Sequence, residues 1–159
     1  MAWLFPYILF LHVFGAILAF GPTYAYSIIG AMGGREPQHG NFGLRVTARI
    51  GSALVYPLAI LQGVTGVALI VVGGITIMDR AWLMISIVLY VIALVFALTV
   101  QRNALDHVIE LTSAPPPPDA PPGPPPGFPE TVRKIQRGGM FLGVLVAVIV
   151  FLMVVKPTF

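Results

Sequence analysis

The sequence has no cysteine and few charged residues. Without cysteine, the 159-residue chain forms no disulfide, thiolate metal site or cysteine nucleophile. Charged residues make up 9% of the chain, whereas an average soluble domain carries about 25%. So few charges do not solvate a globule of this size. The 57% of hydrophobic residues therefore predict a protein whose surface is mostly surrounded by lipid.

Four long apolar stretches without Asp, Glu, Lys or Arg predict four transmembrane helices. Each is near or above the roughly 20 residues that cross about 30 Å of hydrocarbon. Because the backbone in lipid must satisfy its own hydrogen bonds, these stretches are expected to be helical. The first has no basic leading segment and is too long for a signal peptide, so we expect it to be retained. The stretches are Trp3–Ile29, Ser52–Met78, Ala81–Val100 and Gly138–Val155.

The basic residues predict the orientation of these helices. The chain has nine Lys and Arg residues and six Asp and Glu residues. The basic residues form no cluster in the sequence, so we expect no nucleic-acid partner. Seven of the nine flank the segments joining spans one to two and three to four, and only Arg80 and Lys156 lie on the other side. The positive-inside rule then places both termini outside the cytoplasm. The prediction is an all-α, antiparallel four-helix bundle in a bacterial inner membrane.

The chain divides into three parts in this interpretation. Residues 1–113 hold three spans, with Gln101–Leu111 continuing the third helix into the cytoplasm. Residues 114–130 form a cytoplasmic linker whose run APPPPDAPPGPPPGFP is typical of polyproline II. It serves either as a stiff spacer or as a docking peptide. Residues 131–159 hold the fourth span, and Gly33–Asn41 is predicted to be a short turn.

Small residues at four-residue spacing favour close packing of the four helices. Lipid tails are as apolar as Leu, so membrane helices associate through such residues and through hydrogen bonds. We expect each stripe to face the interior of the bundle, and Pro22 and Pro57 to interrupt their helices. The stripes are Gly15, Ala16 and Ala19; Ala59, Gly63 and Gly66; Ser86, Ala93 and Ala97; and Gly139, Gly143 and Ala147.

One group of polar residues is predicted inside the bundle. His12 lies about 13 Å along the first helix from Trp3, on the face of its small residues. Tyr90 lies about 12 Å from the outer end of the third helix, and Thr65 and Gln62 about 15 and 20 Å from that of the second. Two interpretations stay open. His12 is either a neutral side chain that links helices or a functional group. As a functional group it would be an axial ligand to haem b or to a metal ion, or a contact for a proton or a quinone, with Tyr90, Gln62 and Thr65 lining the site.

The first span, YILFLHVFGAILAFGPTYAY, carries a resemblance to known proteins. Its Leu11–His12 followed by small residues resembles a bacterial family of small four-helix integral membrane proteins of unknown function. That family is distantly similar to copper-resistance D-type proteins and to the haem-binding protoporphyrinogen oxidase. The resemblance implies a role for His12 in haem binding. The chain has no lysine inside a span and no outer segment rich in His and Met, so we do not expect oxidase activity or copper transport.

These observations favour a non-enzymatic function. The leading hypothesis is a structural or accessory subunit that contacts the lipid bilayer and either another membrane protein or a second copy of itself. The alternative is a haem-binding or redox-associated protein with His12 as axial ligand. A third class, a dimeric small-molecule transporter, is disfavoured because no carboxylate lies within a span.

Overall fold

Four long helical stretches make up the protein in the computed structural model, which describes residues 2–113 and 123–158. All four are long and apolar enough to cross a membrane, which confirms the all-α, four-span prediction. Within the described residues there is no strand. The spans comprise Phe5–Arg35, Pro37–Val72, Ala81–Ser113 and Phe128–Val155. Their regular helices are α1 (Phe5–Phe20), α2 (Ala25–Arg35), α3 (Pro37–Ile50), α4 (Tyr56–Val72), α5 (Ala81–Phe96), α6 (Arg102–Ser113) and α7 (Phe128–Val155).

The helices extend further toward the predicted cytoplasmic side than the apolar stretches do. The predicted turn is present but is shorter than Gly33–Asn41, because only Glu36 separates α2 from α3, which pack against each other. Pro37 is the first residue of α3. An N–H at this position has no partner within the helix, so the N–H that proline lacks removes no helical hydrogen bond. The third span continues as helix beyond its apolar stretch, since α6 runs to Ser113, and its position in the cytoplasm stays a prediction. Most of the proline-rich run, residues 114–122, lies outside the described residues, and α7 begins at Phe128.

Three short segments interrupt regular α-helix within the spans. Gly21–Tyr24 forms a 3-10 turn around Pro22, as expected from its missing backbone donor. Gly51–Val55 forms a π-helical turn just before Pro57, which leaves the Ala53 carbonyl without its usual partner. A second π-helical turn, Ala97–Gln101, has no proline nearby. At the predicted outer side, α4 ends at Val72 rather than continuing to Met78, because Gly74 adopts a positive φ of 59°.

The spans pack as two antiparallel pairs. In the first pair α1 lies along α4 and α2 along α3; in the second, α5 and α6 lie along α7. The contact between the pairs is most extensive where α3 meets α6. Trp82, Leu83 and Leu152 form an apolar core at the opposite end, which the sequence predicts to be the outer one. There the Lys156 ammonium lies 5.8 Å from the centre of the Trp82 ring.

The small-residue stripes face the interior in three spans but not in the fourth. Among the predicted residues, Gly15, Ala19, Ala59, Ser86 and Ala93 are buried or in close contact with a neighbouring helix. On α7 the prediction is wrong, because a different face is buried. That face consists of Gly138, Leu145 and Leu152 at seven-residue spacing, about 160° around the helix from the predicted stripe. Gly139 and Ala147 are exposed, and a Cβ added at Gly143 would meet nothing within 4 Å.

Candidate functional site

His12 joins α1 to α4 through both of its ring nitrogens. Its Nδ1 lies 2.9 Å from Thr65 Oγ1, and its Nε2 lies 3.0 Å from Gln62 Nε2. The amide nitrogen of Gln62 is a donor, so Nε2 accepts and the proton is on Nδ1. Nδ1 then donates to the Thr65 hydroxyl, which donates to the Leu61 carbonyl at 3.0 Å. A neutral imidazole with its proton on Nδ1 therefore has a hydrogen-bond partner for each of its two ring nitrogens.

Glycines let the two helices approach closely at this point. A Cβ at Gly66 would lie 3.3 Å from His12 Cε1, and one at Gly15 would lie 3.3 Å from Gln62 Oε1. The imidazole edge therefore rests against the backbone of α4, one turn beyond Gln62. The sequence pattern places Gln62, Thr65 and Gly66 on one helical face because they are three and four residues apart. We call His12, Gln62 and Thr65 the histidine cluster.

Tyr90 lies beside the histidine cluster but is not hydrogen-bonded to it. Its hydroxyl crosses from α5 to donate to the Ala59 carbonyl of α4 at 2.7 Å. A Cβ at Gly63 would lie 2.6 Å from that hydroxyl oxygen, so glycine is what admits the ring. The four residues predicted from the sequence thus lie on three helices, with Gln62, Thr65 and His12 in direct contact and Tyr90 as a separate link between α4 and α5.

Two buried polar atoms have no hydrogen-bond partner among the described residues. One is Gln62 Oε1, in the histidine cluster, and the other is the Tyr26 hydroxyl oxygen. Gln62 could be predicted from the sequence because it is an amide inside an apolar span. Tyr26 could not, since a tyrosine near the end of a span is typical of the membrane interface. The other two histidines, His39 on α3 and His107 on α6, are exposed.

The arrangement at His12 does not fit an axial haem ligand. A haem iron needs a ring nitrogen with an open face, and both nitrogens of His12 are engaged by α4. Coordination through Nε2 would require Gln62 to withdraw and α1 to separate from Gly66. No group of three or more His, Asp and Glu that suits a metal ion occurs in residues 2–113 and 123–158. What the geometry does provide is a specific hydrogen-bonded junction between two helices.

The family described as predicted integral membrane protein, DUF2269, matches residues 6–157. The match thus covers all four spans, the histidine cluster and the segment between α6 and α7. No match was found among curated proteins or among solved structures. On the extent of the family match, this chain belongs to the DUF2269 family of integral membrane proteins.

Proposed function

We propose that the protein is a non-enzymatic structural or accessory subunit of a membrane complex, and that α7 contacts the neighbouring subunit. The observation that carries this proposal is the outward face of Gly139, Gly143 and Ala147. We call these three residues the α7 small-residue face. Gly139 and Ala147 are exposed, and a Cβ at Gly143 would meet nothing within 4 Å. Within the described residues, no helix of the same chain covers Gly143.

Glycine at these positions costs stability unless a neighbour makes use of it. In a helix interior glycine is less favourable than alanine by about 0.5–1 kcal/mol. Gly63 and Gly66 offset that cost because Tyr90 and His12 pack against them. At Gly143 no such contact exists within the described chain. Small residues at four-residue spacing allow a second helix to approach closely, which is how helices associate in lipid.

A groove beside this face adds apolar contact area. Ala147, Val150 and Val154 border a groove of about 410 Å³ on the outer half of α7. Ala147 belongs both to this groove and to the small-residue face, so the two form one continuous surface. Such a surface fits an apolar transmembrane helix of another subunit, either a second copy or a different membrane protein. The absence of Asp, Glu, Lys and Arg from the four apolar stretches favours this function over ion-coupled transport.

Cysteine crosslinking in native membranes tests the proposal directly. Because the chain has no cysteine, one introduced thiol is unique. Ala147→Cys places it on the small-residue face, and Val88→Cys places a matched thiol on an exposed position of α5. Mild oxidation reports contact with a second copy, and a thiol-reactive photo-crosslinker reports contact with a different protein. The products are separated by mass on a denaturing gel.

We expect Ala147→Cys to give one discrete product and Val88→Cys to give none. A disulfide-linked pair identifies a homo-oligomer, whereas a single photo-crosslinked adduct of another mass identifies a different subunit. Gly143→Leu, added to Ala147→Cys, should remove the product because the larger side chain prevents close approach. If the two thiols crosslink equally, or neither does, α7 is not the contact surface and the proposal is wrong.

A second candidate function is haem b association through His12. It rests on the position of this imidazole in the interior of the chain and on the resemblance of the first span, and it requires Gln62 to release Nε2. The test is the absorption spectrum of protein purified from haem-rich cells, oxidised and then reduced, beside His12→Ala. A Soret band that the substitution removes would make His12 an axial ligand. A colourless wild-type protein would leave the histidine cluster as a helix junction.

A further inference from the structure

A cleft lined by arginines opens where α3 meets α6. It has a volume of about 300 Å³, at the lower end of the range of ligand pockets. Arg45 and Arg49 enter it from α3, and Arg102 and Asp106 from α6. Ser52 and Tyr56 lie on its wall, and the Ser52 hydroxyl donates to the Arg49 carbonyl at 3.2 Å. We call this site the arginine cleft.

The arginine cleft carries more positive charge than its own carboxylate neutralises. Three arginines face one aspartate. Arg102 Nε lies 3.7 Å from Asp106 Oδ2, and both side chains are more than half exposed. Among residues 2–113 and 123–158, neither Arg45 nor Arg49 forms an ion pair. Two guanidinium groups therefore retain their hydrogen-bond donors for a ligand, and guanidinium binds phosphate with two parallel hydrogen bonds.

The depth of the cleft places it at a membrane surface. Arg49 lies about 35 Å along the helix from the outer end of α4 at Val72. Arg102 lies about 32 Å from the outer end of α5 at Ala81. Both distances match the roughly 30 Å thickness of the hydrocarbon layer. The arginine cleft thus opens at the boundary where the hydrocarbon ends and lipid headgroups begin.

Both π-helical turns of the protein border this cleft. Gly51–Val55 contributes Ser52 to the wall, and Ala97–Gln101 ends directly before Arg102. Pro57 accounts for the first turn, but no proline accounts for the second. A π-helical turn inserts an extra residue and re-aims the side chains that follow, and such turns are frequent at functional sites. Here the second turn precedes the arginine that α6 contributes to the cleft.

We propose that the arginine cleft binds the phosphate of an anionic phospholipid headgroup. The charge selects an anion, the paired guanidinium groups select phosphate, and the position at the edge of the hydrocarbon selects a lipid over a soluble ligand. This proposal is independent of the contact made by α7.

Binding is measured with the full chain in mild detergent, by native mass spectrometry and by thermal unfolding. The probes are phosphatidylglycerol, phosphatidylcholine and inorganic phosphate. Arg45→Gln with Arg49→Gln removes two charges from the cleft. Arg133→Gln with Arg137→Gln removes two exposed charges near the start of α7, outside the lining of the cleft, and is the matched control. Circular dichroism establishes that both double variants keep their helix content.

Phosphatidylglycerol should bind the wild type and raise its unfolding temperature more than phosphatidylcholine does. Each arginine near the membrane surface is worth about five-fold in affinity for an anionic lipid. The double variant in the cleft should therefore lose roughly 25-fold, and the control should change less than three-fold. Equal losses in the two double variants would mean that general surface charge attracts the lipid, and would overturn the proposal.

Two further measurements complete the test. The first shows whether a loss of affinity comes from the lost charge or from misfolding of the variant. The second shows whether the cleft binds a lipid headgroup or a soluble phosphate. Asp106→Asn removes the carboxylate from the cleft, so it should increase affinity for phosphatidylglycerol by about five-fold. A misfolded variant would not gain affinity, and a loss on this substitution would contradict the proposal. If inorganic phosphate raises the unfolding temperature as much as phosphatidylglycerol does, the cleft binds a soluble phosphate and the assignment to a lipid is wrong.

Discussion

The histidine cluster and the arginine cleft place polar side chains at two different depths. In the cluster, His12 is half-buried and makes hydrogen bonds of 2.9 and 3.0 Å to α4. In the cleft, the arginines are exposed and the single ion pair is 3.7 Å long. Both ring nitrogens of His12 have partners within the protein, although Gln62 Oε1 has none among the described residues. The arginines of the cleft are left open to the water and lipid headgroups at the membrane surface.

The surrounding solvent explains the difference. Inside the hydrocarbon there is no water, so each polar atom needs a partner from the protein. At the headgroup level, water and lipid phosphates provide those partners. Hydrogen bonds in the histidine cluster should therefore contribute to stability, whereas the arginine cleft should contribute little to stability and more to binding. Four substitutions test this contrast, and their effects should decrease in the order given.

Gly63→Leu should have the largest effect on stability. A Cβ at this position would lie 2.6 Å from the Tyr90 hydroxyl oxygen, so the ring must leave and its hydrogen bond to Ala59 is lost. Overpacking of this kind costs about 3 kcal/mol. Gly30→Leu is the matched control, because a Cβ there meets nothing within 4 Å. The free energy of unfolding in detergent, titrated with sodium dodecyl sulfate, should separate the two variants, and equal values would show that Gly63 is not a packing position.

His12→Ala should destabilise the protein by about 2 kcal/mol. The substitution removes two hydrogen bonds between α1 and α4 and leaves the Gln62 amide without a partner. A double-mutant cycle with Thr65→Val isolates the contact of Nδ1 with Oγ1, and we expect a coupling of about 0.6 kcal/mol. If His12→Ala leaves the free energy of unfolding unchanged, the imidazole adds nothing to the junction of the two helices. The contrast between the histidine cluster and the arginine cleft would then be wrong.

Tyr90→Phe should cost less, about 1 kcal/mol. It removes one hydroxyl that donates to the Ala59 carbonyl and leaves the ring against Gly63. Tyr24→Phe is the control, because the Tyr24 side chain is exposed. The same unfolding titration applies to both. A cost for Tyr90→Phe that equals that of His12→Ala would place Tyr90 in one cooperative unit with the histidine cluster, which the geometry does not predict.

The helices and the position of His12 could be predicted because hydropathy and helical spacing are local properties. Four apolar stretches and the spacing of Gln62 and Thr65 were enough to place three polar residues together. The rotation of α7 was not predictable, because Gly138 and Gly139 are adjacent and either could begin an inward stripe. The arginine cleft was not predictable either. It joins α3 to α6 across a large separation in sequence, and the positive-inside rule by itself accounts for basic residues at these positions.

Arg102→Gln should have the smallest effect on stability, about 0.5 kcal/mol or less, because the ion pair with Asp106 is exposed. Asp106→Asn removes the same ion pair and should change the free energy of unfolding equally little. The two substitutions differ in their effect on the arginine cleft, since the first lowers its positive charge and the second raises it. If the cleft binds lipid phosphate, their affinities for phosphatidylglycerol should move in opposite directions while their stabilities stay the same. A large loss of stability in both would instead mean that the ion pair joins α6 to the bundle, and the arginine cleft would then resemble the histidine cluster.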